Sequence, residues 1–445
     1  MTETPAALTV VGIGADGWPG LTGTATAALT GAEVIFGSSR QLALLPEFVD
    51  AELLPWPSPL VPALRGLLES RRGRRIAVLA SGDPMFHGLG ATLVRLFGAA
   101  AVRVIPSPSS VSLAAARLGW SLPDVDVLSL VTAPVEELHP LVHPGRRILI
   151  LSAGADTPAA VAALLTSRGY ADSTVTVLSQ LGGPAEDVTT CAAENLGARE
   201  FDPLNVVAVA CSTGPAAVAE GPVATVGPAG PGGGSPEAGG TEAGQPGGRH
   251  AGPVLAGSRP LVPGLPDSVY EHDGQLTKRE VRAVTLAALG PQPGELLWDI
   301  GAGSGSIAIE WMRAHRDCRA VAVESSAERV GRIARNAAAL GVPKLRVVAG
   351  RAPGALAGLP APDVVFVGGG LTRDGVVEAA LAALPSGGRL VANAVTLESE
   401  AVLAAWYARL GGELTRIAVN RTSPVGGFTG WRAMMPVTIW SVIKP

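Results

Sequence analysis

Two glycine-rich segments, each closing an apolar run, hold the residues of this 445-residue chain whose types and spacing could do chemistry. The first is Leu8-Thr9-Val10-Val11-Gly12-Ile13-Gly14; the second is Leu296-Leu297-Trp298-Asp299-Ile300-Gly301-Ala302-Gly303-Ser304-Gly305. Without a Cβ, glycines let backbone N–H groups come close to a nucleotide-like ligand. The second loop ends a strand and opens a helix, where a doubly wound sheet seats its ligand. One strand later, Arg319-Ala320-Val321-Ala322-Val323 ends in Glu324. A carboxylate at that strand tip can accept both ribose hydroxyls of a nucleoside. A helix N-cap or a solvated carboxylate is the plainer reading, and the loop beside Glu324 weighs against it. A dinucleotide would ask for GxGxxG with a pyrophosphate at the helix N-terminus. Here the spacing is GxGxG, Asp299 precedes it and nothing basic awaits a phosphate, so S-adenosylmethionine (AdoMet) fits better.

The elements that must position these loops alternate along the chain. Strands are expected at 8–13, 33–36, 75–80, 102–105, 125–131, 147–151, 174–178 and 205–210, with helices such as 90–97, 110–118 and 158–168 between them. Apolar strands separated by helices predict a mostly parallel α/β sheet covered on both faces. The span is long enough for two lobes, dividing near residues 115 to 125. From Pro222 to about Gly257 the chain collapses into Gly, Pro, Ala and Glu. Such a tract cannot bury enough apolar surface to order itself and reads as a flexible linker. Beyond it a helix over 277–289 leads to strands at 295–300, 319–324, 345–349, 363–367 and 389–394. The last two, 413–419 and 435–442, have no helix between them and should pair antiparallel. The boundaries expected are therefore 1–212, a linker 213–257, and 258–445.

Composition narrows the function classes. The formal charge of −4 argues against nucleic acid as the main partner. Cys191, Cys211 and Cys318 are too few and scattered for a disulfide framework or a metal site, which suits a reducing cytoplasm. No basic leader opens the chain and no apolar run reaches the ~18 residues that span a bilayer, so neither secretion nor a membrane partner is expected. His139 and His143 stand four apart, but Pro140 and Pro144 break any helix that would pair them as ligands. No metal is expected.

Further motifs carry a resemblance. Pro263-Gly264-Leu265-Pro266-Asp267, Gly274-Gln275-Leu276-Thr277-Lys278-Arg279-Glu280-Val281-Arg282, Gly350-Arg351-Ala352-Pro353, Gly368-Gly369-Gly370 and Asn393-Ala394-Val395-Thr396-Leu397-Glu398 surround the second loop. Together they closely resemble the decarboxylating C-15 methyltransferases of corrin biosynthesis, over nearly all of 263–445. That resemblance implies a class I Rossmann-like methyltransferase fold, a seven-stranded sheet with an antiparallel last strand. It also implies an AdoMet pocket lined by Thr277, Gly301, Ala302, Gly303, Ser304, Gly305, Glu324 and Ala352. Near the N-terminus, Leu79-Ala80-Ser81-Gly82-Asp83-Pro84-Met85-Phe86 and Ile105-Pro106-Ser107-Pro108-Ser109-Ser110-Val111 follow the first loop. Gly-Asp-Pro is common turn chemistry. In this order the three turns resemble the two-lobed tetrapyrrole methylase fold, closest to its C-5 methylating members, over about 6–212. The resemblance implies that Gly12, Gly14, Gly82, Asp83, Pro84, Ser109 and Ser110 contact AdoMet or substrate; helix capping is an equal alternative for the two serines. His87 adjoins the Gly-Asp-Pro turn and has either a cleft-facing or a structural role.

The fused halves are similar to the family of decarboxylating precorrin-6Y C(5,15)-methyltransferases. By that resemblance the chain, a homo-oligomer, methylates precorrin-6B at carbons 5 and 15 and decarboxylates the ring C acetate, giving precorrin-8X in cobalamin biosynthesis. One AdoMet serves each half. A cobalt-containing precorrin and a non-catalytic tetrapyrrole carrier are the alternatives. The implied substrate carries several carboxylates, which guanidinium groups bind in bidentate fashion. Arg279, Arg282, Arg351 and Arg373 are the candidates, each equally able to be a solvated charge. No residue is assigned to the chemical steps.

Overall fold

The structure, a computed structural model, describes residues 8–212 and 259–445 in two compact units. The linker expected at 213–257 lies outside the described residues.

The first unit holds two five-stranded sheets. In one, β1 (Leu8–Ile13), β2 (Val34–Gly37), β3 (Glu52–Pro55), β4 (Ile76–Ser81) and β5 (Val102–Ile105) run parallel in the order β3-β2-β4-β1-β5. Successive residues serve opposite faces: Val10, Phe36 and Val78 join one core, Val11, Ile35 and Leu79 another. Burial on both faces explains why these strands read as unbroken apolar runs.

The other sheet contains β6 (Asp126–Ser129), β7 (Arg147–Leu151), β8 (Thr174–Ser179), β9 (Asp187–Ala192) and β10 (Asn205–Ala210), in the order β6-β7-β10-β8-β9. Only β6 and β7 pair parallel; β10 is antiparallel to both neighbours, as β9 is to β8. The expectation of a mostly parallel sheet therefore fails in this lobe. Neither the link from β8 to β9 nor that from β9 to β10 carries the α-helical crossover that parallel neighbours need. Helix Ser110–Leu118 ends where the two lobes divide.

The second unit is built on one seven-stranded sheet. Its strands are β11 (Leu296–Ile300), β12 (Arg319–Glu324), β13 (Arg346–Ala349), β14 (Val364–Val367), β15 (Arg389–Ala394), β16 (Glu413–Ile417) and, after a separate hairpin of β17 (Asn420–Val425) and β18 (Phe428–Ala433), β19 (Val437–Ile443). The order is β13-β12-β11-β14-β15-β19-β16, with five parallel strands and β19 antiparallel to both neighbours. Strand order reverses between β11 and β14, which opens a crevice at their carboxyl ends. The hairpin turns at Gly426-Gly427 and forms its own two-stranded sheet. The helix expected from 277 begins at Arg279, because Lys278 is still extended.

Candidate functional sites

In the first unit β4, β1 and β5 are neighbours, so the turns that follow them meet. The Gly82 amide donates to the Ile13 carbonyl at 3.0 Å, and the Ser107 amide to the Gly82 carbonyl at 3.4 Å. A Cβ on Gly12 would lie 2.1 Å from the Gly82 oxygen and 2.6 Å from the Ser107 nitrogen. Only glycine fits there. Gly82 has φ +58°, and a Cβ there would lie 3.1 Å from the Pro108 oxygen and 3.3 Å from the Ser109 Cα. Gly14 faces Asp16, whose carboxylate fills the space a Cβ would take. Asp83 Oδ1 accepts from the Met85 amide at 2.8 Å, and Pro84 is buried beneath this turn.

The hydroxyl of Ser81 accepts from Arg40 Nη2 (3.2 Å) and Gln41 Nε2 (3.1 Å), two residues the sequence reading missed. Ser109 is the N-cap of helix Ser110–Leu118: its Oγ accepts from the Ser112 amide at 3.0 Å and shares a bond with Ser112 Oγ. Ser110 is the first residue of that helix. His87 is exposed, its ring edge-on to Phe86.

In the second unit the sheet's reversal point opens into a cavity of about 1060 Å³. That is the upper end of the range for a single small ligand. Gly301, Gly303 and Gly305 all have positive φ, at +72°, +60° and +80°. A Cβ on Gly301 would sit 2.6 Å from the backbone of Gly369, because the loops after β11 and β14 lie against each other. Glu324 is 4% exposed. Its Oε2 accepts from the Gly303 amide at 2.9 Å and its Oε1 from the Ser326 amide at 2.9 Å. The acidic strand tip thus holds the glycine loop; Oε1 also accepts from the Ser325 hydroxyl at 3.4 Å, while Oε2 keeps a further lone pair for a hydroxyl donor.

Asp299 is buried below the loop. Its Oδ2 accepts from the Ala308 amide, while Oδ1 has no partner. Burial pushes this carboxyl up to about 7, the Ala308 bond opposing and the nearby Glu324 charge adding to the effect.

Thr277, Gly301, Ala302, Gly303, Glu324 and Ala352 all line the cavity, as do Arg351 and Arg373. Ser304 and Gly305 do not: Ser304 is buried, and Gly305 caps helix Ser306–Ala314 against Ile333. Arg279 points to solvent outside the lining. Arg282 is fully buried and also lies outside the lining. Its guanidinium bonds Glu310 (2.6 Å), Asp267 (3.3 Å) and the carbonyls of Thr277 and Leu265, and it lies over the Tyr270 ring. A side chain so enclosed, with four of its five N–H donors used inside the protein, is a structural strut away from the cavity.

The structure adds cations the sequence reading missed: Lys278, Arg329, Arg421 and Arg432 line the same cavity. Arg329 pairs with Asp273 at 2.9 Å, and Arg421 with Asp267 and Glu280. Among the described residues, Lys278, Arg351, Arg373 and Arg432 make no ion pair. Glu324 is the one carboxylate in the lining. A cavity with this balance attracts a ligand bearing several carboxylates.

Comparison with known proteins finds a match in each half of the chain. A tetrapyrrole (corrin/porphyrin) methylase model matches residues 7–197, and a precorrin methyltransferase domain model matches 268–444. A precorrin-6Y C(5,15)-methyltransferase (decarboxylating) from Sinorhizobium sp. is 47% identical over 437 residues, 98% of this chain and 96% of that protein. Its counterpart in Mycobacterium tuberculosis is 46% identical over 438 residues, 98% and 99% of the two chains. The solved C-terminal domain of the Rhodobacter capsulatus precorrin-6Y C5,15-methyltransferase is 47% identical, covering 42% of this chain and 100% of that one with a TM-score of 0.40. With two such relatives matching nearly end to end, the chain belongs to the decarboxylating precorrin-6Y C(5,15)-methyltransferase family of AdoMet-dependent C-methyltransferases.

Proposed function

We propose that the chain methylates precorrin-6B at carbon 5 in its first unit and at carbon 15 in its second, removes the carboxyl group of the ring C acetate, and releases precorrin-8X. Each unit binds its own AdoMet. The observation that carries this reading is the presence, in one chain, of two glycine sites built by different topologies. In the first unit Gly12, Gly14, Gly82, Asp83 and Pro84 form the cofactor wall, with Ser109 and Ser110 setting the helix start behind it. In the second, the loop Gly301–Gly305, Glu324, Thr277 and Ala352 hold the nucleoside. The positive-φ glycines leave room that a Cβ would take, and Glu324 Oε2 keeps a lone pair for a ribose hydroxyl, so the residues present fit the cofactor.

AdoMet supplies an already activated methyl group on a sulfonium. The protein's task is to hold a nucleophilic meso carbon in line with it and to keep water out, which is catalysis by proximity and orientation. Arg351 and Arg373 fix the macrocycle by its carboxylates. In the decarboxylation the C–C bond pair flows into the conjugated ring as carbon dioxide leaves, and a proton later replaces it.

None of the three cysteines is in a disulfide, and no helix among the described residues is long and apolar enough to cross a membrane. A cytoplasmic homo-oligomer completes the reading. Incubation with AdoMet and precorrin-6B, followed by mass spectrometry, should show two methyl gains and one loss of carbon dioxide. A product with unchanged methyl count would refute the assignment.

A further inference from the structure

The hairpin β17–β18 contributes Arg421, Thr422, Ser423, Arg432 and Ala433 to the cavity wall. Its register sets Arg421 directly opposite Arg432, so the two guanidinium groups share one face. Like charges in that position destabilise a hairpin unless something neutralises them. Arg421 is neutralised. Its Nη1 lies 3.0 Å from Asp267 and its Nη2 2.5 Å from Glu280, and these carboxylates hold the guanidinium above its ordinary range. Asp267 also bonds Arg282, which ties the hairpin to the buried Arg282–Glu310 pair.

Arg432 is different. It is exposed, lines the cavity and makes no ion pair or hydrogen bond among the described residues. The lining's own carboxylate, Glu324, bonds the Gly303 and Ser326 amides and makes no ion pair with Arg432. The like-charge pair therefore lacks an anion on one side, and that side faces the cavity.

We infer that Arg432 is a specificity-determining residue of the second site: its guanidinium takes a peripheral carboxylate of the macrocycle, while Arg421 anchors the hairpin that presents it. The inference rests on the proposal that this cavity receives the polycarboxylate substrate. The planar fork pairs with a carboxylate in bidentate fashion, so lysine supplies the charge and only part of the geometry.

The test uses the full chain, with precorrin-6B varied at saturating AdoMet and carbon 15 methylation followed by mass spectrometry. Arg432→Gln should raise KM for the macrocycle about tenfold or more. Its kcat, its KM for AdoMet, its melting temperature and carbon 5 methylation in the same chain should all stay within about twofold or unchanged. Arg432→Lys should recover part of the lost KM. Arg421→Gln should behave oppositely, lowering the melting temperature of the second unit. A macrocycle KM within about twofold of wild type in Arg432→Gln overturns the inference, as does a loss that falls on AdoMet or on folding. Failure of the unaltered chain to methylate carbon 15 would instead overturn the functional proposal beneath it.

Discussion

The two units build their glycine-rich turns by different physics. In the first, three turns cross so closely that their backbones touch, and the shape is held by what glycine lacks. Among the described residues no carboxylate of that unit is buried. In the second, one loop hangs from a strand tip with Asp299 and Glu324, 1% and 4% exposed, beside it, and Glu310, 3% exposed, is buried in the helix that follows. The first site is set by steric exclusion alone, the second by close backbone packing at Gly301 together with buried charge. Steric sites fail when a methyl group is added; electrostatic ones fail when a partner is removed or a proton moves.

The largest expected effect follows from the buried pair. Arg282→Ala leaves the Glu310 charge uncompensated in the core, which costs roughly 3–5 kcal/mol. Calorimetry should show the second unit's transition lowered or lost and the first unit's retained. An unchanged pair of transitions would show that buried charge does not hold the second site.

Asp299 sharpens the contrast through pH. Its folded pKa of about 7 exceeds the unfolded value of 3.8, so the folded chain binds a proton that the unfolded chain has lost. The Asp299 contribution to stability is fully present below about 4 and is lost as pH rises toward 7, by at most about 4 kcal/mol. Asp299→Asn should flatten that fall in the second unit's melting temperature across the same window. A fall as steep as in the unaltered chain would assign it to another group.

The smallest effect belongs to the first unit. Ser109→Ala removes a helix cap and should cost about 1 kcal/mol of that unit's stability, leaving its AdoMet affinity intact. A large loss of affinity would move Ser109 from the scaffold into the cofactor site.

How much of this the sequence carried depended on burial. Strands covered on both faces, such as β1, β4 and β11, are apolar at nearly every position and lie within a residue of their expected limits. The short edge strands β3 and β9 are largely exposed, carry polar residues and give no such signal. The hairpin β17–β18 escaped for the same reason, although Gly426-Gly427 between two short runs is a turn signal that could have found it. The contact between the Gly301–Gly305 loop and Glu324 was readable because spacing along β11 and β12 alone brings them together.

The arginines were not. Arg421 and Arg432 reach the cavity from a hairpin more than a hundred residues beyond the loop, a proximity only the fold creates. Arg282 had a missed signal: it shares a helical stripe with Leu286 and Leu289, the inward face of its helix.

The central claim is that one chain holds two independent AdoMet sites, and titration calorimetry with AdoMet tests it most directly. The unaltered chain should bind two equivalents. Gly12→Ala drives a methyl into the Gly82 and Ser107 backbones, and Gly301→Ala drives one into Gly369; each should bind one equivalent while the other unit stays folded. A single equivalent in the unaltered chain, or the loss of both sites from either substitution, would contradict the account.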